Sequence, residues 1–543
     1  MKLNTSTVLL FVCSLCSPIT YSYDQTNLLG QWLTESLSLA PAPISGEEKI
    51  IKLDSPQGTL KGRNIDGINI FRGLQYAEAP IGNLRFAPPV ATKSWTGVKD
   101  AGKFGPACIQ PGEGNMSEDC LYLNVWAPDN KKEKKLPVYV FIHGGGFSIG
   151  SGSQAIYDGK ALAKQGIVVV TLNYRLGTLG FLPSQAAFNQ YHTTGNWGLL
   201  DIIEALKWVK NNISAFGGNP EHITIGGESA GSFAVSTLIN SPLANGLFEQ
   251  AIMESGSLPN IGAVAPFTAK SFDYAKQKAE QYFRKFDLKD NKMGLDKLRA
   301  LPVDKILSTQ LSISNAIAPQ VTSFWPVPDG FVYQPNPSQQ IKEGKINQVK
   351  LLAGYNSNEG SLFISPNTTE QDYQTFLTSV FGEHANEVAT RFPIDTKHSL
   401  TQQMDNVITL SMLRSGVYVY ADSLSKQNDV YLYHFGYSDP MIEPTGLGVV
   451  HGSELRYVFH NFMEHINKDT NATKMAKMIQ TSWVNFIKSG NPNEGKSLPT
   501  TKNWKKYSVE QPIEMTLKPN IDVQIASDIE DIQFINRMLS SQK

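Results

Sequence analysis

Short apolar runs punctuate this chain from about residue 65 onward, and helical patterns separate them. Ile68–Leu74, Leu121–Trp126, Val138–Ile142 and Ile167–Leu172 each read as buried strands, as do Ile223–Ile225, Ala251–Glu254, Val349–Gly354 and Asp429–Phe435. Between them, Asp201–Ile213 sets Ile202, Leu206, Val209 and Ile213 on one helical face, and Ala230–Leu238 suits a second helix. Strands alternating with helices predict an α/β fold, with a large, mostly parallel sheet covered on both faces. The stretch from about 265 to 425 departs from this rhythm. It is more charged, helical in pattern and broken by prolines from Pro302 to Pro337, which predicts a helical cap inserted between strands.

The N-terminus adds a processing signal. Lys2 precedes an apolar stretch, Val8–Cys16, too short to span a bilayer but suited to a signal-peptide core. Thr20 and Ser22 put small residues at −3 and −1, so residues 1–22 are expected to be removed. Residues 23–48 then read as a spacer and 49–540 as a single domain carrying the cap. Export follows, to the medium or to a periplasm, and no later stretch reaches transmembrane length. The mature chain would keep Cys108 and Cys120, which in an exported protein most simply form one disulfide. Two thiols without clustered histidines do not make a zinc site, so no metal is expected. Formal net charge is −1, from 48 basic and 49 acidic residues, which leaves no electrostatic footprint for nucleic acid. The one dense basic run, Lys131–Lys135, reads as a solvated loop. Asn115, Asn212, Asn367 and Asn471 head Asn-x-Ser/Thr triplets, which matter only in a glycosylating organism.

The chemistry concentrates in two glycine-rich segments. Gly227-Glu228-Ser229-Ala230-Gly231 follows a strand pattern and opens a helical one, the context of a nucleophile elbow. A serine on so sharp a turn crowds the residues two before and two after it, and both are glycine. His143-Gly144-Gly145-Gly146-Phe147 ends another strand pattern. Its glycines let backbone N–H groups converge on one point, as an oxyanion hole requires, with the Ala230 N–H as a further donor. No Gly-x-Gly-x-x-Gly or P-loop pattern competes with this reading. A serine hydroxyl needs a base, and the base needs an orienting acid. His451, in a glycine-flanked loop after the Asp429–Phe435 strand, is best placed as base. His434 lies within that strand, and His460 and His465 fall in a helical pattern. Glu359, following the Val349–Gly354 strand, is the candidate acid.

These segments together resemble the type-B carboxylesterase family of α/β-hydrolases, which contains carboxylesterases, cholinesterases and some lipases. The similarity runs from about residue 50 to 535. It includes Glu118–Val125, Asn173-Tyr174-Arg175, the Asn356–Gly360 turn, His451-Gly452-Ser453-Glu454-Leu455 and Trp483-Val484-Asn485-Phe486. The resemblance implies a Ser229–His451–Glu359 triad and an oxyanion hole from Gly145, Gly146 and Ala230. It also implies that Glu228 lines the gorge near the histidine and that Ser255 supports the acid. No cofactor is implied, and the substrate would be a small-molecule ester. In cholinesterases the disulfide loop is longer and carries a tryptophan for quaternary ammonium. The Cys108–Cys120 loop is short and has no aromatic residue, which disfavours choline esters; its shortness also disfavours a lipase lid. The expectation is therefore a secreted serine carboxylesterase. A lipase for longer acyl chains and a non-catalytic binding module of the same fold are the alternatives.

Overall fold

The computed structural model describes Gly46 and residues 48–541, apart from residues 113, 130–134, 259–271, 312–323, 366, 439–441, 462–469, 501, 521 and 527. The expected signal peptide, nearly all of the spacer and most of the Lys131–Lys135 run lie outside the described residues.

In chain order the strands are β1 (Glu48–Ser55), β2 (Gly58–Ile65), β3 (Ile68–Gln75), β4 (Val98–Asp100), β5 (Ala107–Cys108), β6 (Met116–Ser117), β7 (Tyr122–Pro128), β8 (Leu136–Ile142), β9 (Val168–Leu172), β10 (Gly218–Glu228), β11 (Gln250–Glu254), β12 (Lys350–Asn356), β13 (Val430–Phe435), β14 (Ile513–Leu517) and β15 (Asp522–Ile525). Thirteen of them form one sheet in the order β1-β2-β3-β7-β9-β8-β10-β11-β12-β13-β14-β15, with β4 beside β2. From β9 to β14 every neighbouring pair is parallel, whereas the margins are antiparallel apart from the parallel β2–β4 pair. Parallel strands covered on both faces need apolar side chains on both, and this explains the unbroken apolar runs.

Strand β8 shows how one run feeds two cores. Its period-2 alternation sends Val138, Val140 and Ile142 into the cluster that holds α1 (Trp197–Asn212) and α2 (Ala230–Asn240). Tyr139 and Phe141 enter the opposite cluster, beside Trp483, Val484 and Ile487 of a long helix, Thr470–Ser489. Helices also lie on either side of β12, among them Phe272–Arg284, Lys292–Arg299, Glu370–Phe381 and α3 (Leu400–Ile408). His460, assigned to a helical pattern in the sequence, instead follows a short helix (Leu455–Val458) at φ 55°, and His465 lies outside the described residues.

Cys108 and Cys120 are joined by a disulfide. Inside the loop that it closes, Glu118 takes two hydrogen bonds from Arg85, Nε to Oε1 at 2.6 Å and Nη2 to Oε2 at 2.5 Å. Among the described residues, no helix is long and apolar enough to cross a membrane.

Candidate active site

The site stands at the carboxyl ends of the parallel strands, where open α/β sheets place their ligands. Strand β10 runs longer than its apolar centre predicted, through Glu228, and α2 starts at Ala230. Ser229 alone makes the turn, at φ 55° and ψ −125°, a conformation costly for a residue with a Cβ. Its N–H donates to the Glu254 carbonyl at 3.0 Å, and its carbonyl accepts from Phe233 N at 2.9 Å, so the strain is held from both sides. The flanking glycines are required by contact. A Cβ on Gly227 would lie 2.5 Å from the Gly231 backbone.

The glycine run after β8 closes over this turn. A Cβ on Gly144 would lie 3.1 Å from Ser229 Cβ and 2.7 Å from Glu228 Oε2. Gly145 and Gly146 both have positive φ, 103° and 60°. Ala230 is the first residue of α2, where N–H groups have no intrahelical acceptor. Within the described residues none of these three N–H groups donates a hydrogen bond. The run is held from behind by His143, whose Nδ1 is 2.8 Å from the Gly144 carbonyl and whose ring stacks on Tyr174 at 4.5 Å. Burial pushes the His143 pKa down to about 4, so the ring is neutral. Tyr174 donates to the His143 carbonyl at 3.0 Å, and Arg175 beside it makes a two-pronged buried ion pair with Asp201.

Glu359 sits three residues past β12, fully buried, and His451 lies in the loop after β13. They meet at 2.6 Å, His451 Nδ1 to Glu359 Oε2, while Asn356 N–H donates to Glu359 Oε1 at 2.6 Å. The other edge of the imidazole, Nε2, faces Glu228 Oε1 at 3.2 Å, an ion-pair distance without hydrogen-bond alignment. Burial alone would lower the His451 pKa. The carboxylates of Glu228, Glu359 and Glu454 outweigh it and hold the pKa up at about 9. Burial raises Glu228 to about 7, against the pull of His451 and with help from Glu359.

The structure thus brings Glu228, Glu359 and His451 together, and Glu228 immediately precedes Ser229. It does not join Ser255 to the acid: Ser255 Oγ donates to Glu454 Oε1 at 3.4 Å instead. Glu454 also accepts from Asn356 Nδ2 at 2.6 Å and is raised to about 8, first by burial and then by Glu228 and Glu359. Sequence reasoning gave Glu454 no role, although it stands in the same five-residue segment as His451. Its signal was a glutamate three residues after a candidate base.

A mostly parallel sheet with a strained serine turn at the end of a central strand defines an α/β-hydrolase. The chain belongs to the carboxylesterase family, whose model matches residues 47–535. It is 35% identical to the para-nitrobenzyl esterase of Bacillus subtilis over 490 residues, covering 86% of this chain and 94% of that protein. It is 31% identical to the fumonisin B1 esterase of Sphingopyxis macrogoltabida over 498 residues, covering 87% and 88%. A solved PNB esterase structure superposes with a TM-score of 0.78 at 32% identity, covering 89% of this chain and 99% of that one. The protein is therefore a carboxylic ester hydrolase.

Proposed function

We propose that the protein is an exported serine carboxylesterase in which Ser229 is the nucleophile, His451 the general base and Glu359 its orienting acid. The observation that carries this reading is the 2.6 Å contact of His451 Nδ1 with the buried Glu359 carboxylate, beside a serine held at φ 55°. A histidine bound at Nδ1 presents Nε2 as its proton-accepting edge. In the resting arrangement Nε2 faces Glu228, so it turns to Ser229 Oγ as substrate enters.

Ser229 Oγ then attacks the ester carbonyl carbon as His451 takes the hydroxyl proton. The carbonyl oxygen, now anionic, is received by the N–H groups of Gly145, Gly146 and Ala230. Each such donor contributes about 2.7–4 kcal/mol to the transition state. His451 returns the proton to the departing alkoxide, the alcohol leaves, and an acyl-Ser229 ester remains. Water, deprotonated by His451, releases the carboxylic acid and restores Ser229. The name of the Bacillus subtilis relative supports para-nitrobenzyl esters as substrates. The disulfide and the Val8–Cys16 stretch support export.

The test is a series of p-nitrophenyl esters from acetate to palmitate, with Ser229→Ala as reference. Rates greatest on short chains and abolished in the variant are expected. A rate jump on long chains above their micellar threshold would move the assignment to a lipase. Wild-type rates equal to those of Ser229→Ala would leave only a binding module.

A further inference from the structure

One carboxylate outside the catalytic group grips both chain neighbours of Glu359. Asp405, buried in the last turn of α3, accepts from Asn358 Nδ2 at 3.0 Å and from Gly360 N–H at 2.7 Å. Its third donor is Thr409 Oγ1 at 3.2 Å, from the π-helical segment Thr409–Arg414 that continues α3. Such π turns inside α-helices are frequent at functional sites. Gly360 has no room for a side chain here, since a Cβ would meet Asp405 Oδ1 and Ile408 at 2.9 Å.

Asn358 carries the grip across to the base. Its Oδ1 accepts from Val449 N–H at 3.0 Å, and its own N–H donates to the Val449 carbonyl at 2.9 Å. Val449 lies two residues before His451. Gly448, at φ 76°, is what permits the approach, because a Cβ there would stand 2.2 Å from Asn358 Oδ1. A continuous polar chain therefore runs from α3 through Asn358 to the loop of the imidazole, parallel to the Glu359–His451 contact.

We propose that Asp405 and Asn358 are positioning residues that fix the acid loop against the base loop, so that Glu359 meets His451 Nδ1 in every turnover. This rests on Glu359 and His451 acting as acid and base. Neither residue touches substrate; both act through the spacing of the pair. A displacement of about 1 Å at a reacting group lowers rates by on the order of 100-fold, so loss of the brace acts on kcat rather than on KM.

The experiment uses the full-length protein and p-nitrophenyl butyrate, with Asn358→Ala, Asp405→Asn and the reciprocal swap Asn358→Asp with Asp405→Asn. Each single variant is expected to lose about tenfold to a hundredfold in kcat at unchanged KM. In the swap the new amide at position 405 donates to the new carboxylate at position 358 and still accepts from Gly360 N–H, so it should recover most of the loss. A second readout separates positioning from bulk stability. His451 faces Glu228, Glu359 and Glu454, and a Glu359 that drifts away ceases to raise its pKa. The acid limb of kcat/KM then moves to lower pH. Asn358→Ala removes a hydrogen bond that lowers the Asp405 pKa, so Asp405, which burial pushes up to about 6, moves upward while the His451 limb moves downward, and the two effects differ in sign.

Folded Asn358→Ala and Asp405→Asn proteins with wild-type kcat and an unmoved limb would overturn the proposal. So would a swap that recovers nothing. Should Asp405→Asn fail to fold, Asn358→Ala alone decides. Glu359→Gln serves as the separate check on the reading beneath: if it keeps full activity, the acid assignment fails, whereas its inactivity beside active brace variants sinks only the brace.

Discussion

Gly231 approaches Ile142 so closely that a Cβ on it would lie 2.0 Å from the Ile142 carbonyl oxygen. The helix behind the serine thus rests its first turn directly on the end of β8, the strand that leads into the glycine run. Gly231→Ala must push the two apart. It should destabilise the fold by about 1–3 kcal/mol through overpacking and lower kcat, since serine turn and oxyanion donors move relative to each other. Denaturant midpoints with matched kinetics test this, and a fully active, equally stable variant would refute it.

Among the charges that hold the His451 pKa up, the Glu228 carboxylate comes first, ahead of Glu359 and Glu454. His451 must be neutral to accept a proton, and with its pKa held at about 9 the acid limb of kcat/KM lies on the alkaline side. Glu228→Gln removes one of the raising charges, so the limb should shift to lower pH. A profile that stays put, or moves upward, would show that Glu228 does not govern the imidazole.

Stability should also depend on the buried carboxyls. Glu454 has an ordinary value of 4.5 and is raised to about 8 in the fold, so between those values the native state holds a proton that the unfolded chain has lost. Stability contributed by this group therefore falls as pH rises through that window. Glu454→Gln, which cannot ionise, should flatten the Tm profile from pH 4.5 to 8. An unchanged slope would count against the assignment.

Asp201 offers a larger effect. Its carboxylate receives Arg175 Nε at 2.8 Å, Nη2 at 2.7 Å and the Arg175 backbone N–H at 3.0 Å, all within the core. Asp201→Ala leaves the guanidinium buried and uncompensated and should cost about 3–5 kcal/mol. Equilibrium unfolding measures it, and a loss below about 1 kcal/mol, the size of a surface pair, would contradict the buried geometry.

Replacing both Cys108 and Cys120 by alanine should lower stability by roughly 2–4 kcal/mol, because a short closed loop no longer restricts the unfolded chain. The ester-chain preference of the enzyme should remain. Reductant titration followed by thermal melting gives an independent reading of the same bond.

Much of this architecture could be read from pattern because parallel, doubly covered strands write themselves as apolar runs. The Val138–Ile142 and Ala251–Glu254 runs gave their strands' positions to within two residues. The outermost strands, β1, β2 and β4 on one side and β14 and β15 on the other, were missed for the opposite reason. In β1, Glu48–Ser55, lysines, isoleucines and acids mix on a half-exposed edge, and β14 and β15 are short. At the site, glycines marked the serine turn because steric contact dictated them. The hydrogen-bond partner of Ser255, Glu454, was not legible because it depends on which buried glutamate faces it across 199 positions of chain, which no local pattern records. Asp405 escaped for the same reason: a polar residue in a cap helix looks solvated until its three donors are found around it.

The parallel order of the sheet has a consequence for how the enzyme comes into being. The proposed serine, acid and base stand beyond β10, β12 and β13, and the Glu359–His451 contact alone joins positions 92 residues apart. Long-range pairings of this kind form late, after the entropy of closing large loops has been overcome. With these three residues as the catalytic group, hydrolytic activity is expected to be absent from any partly built chain. Its return during refolding would time the docking of the last parallel strands, making the enzyme its own clock for assembly.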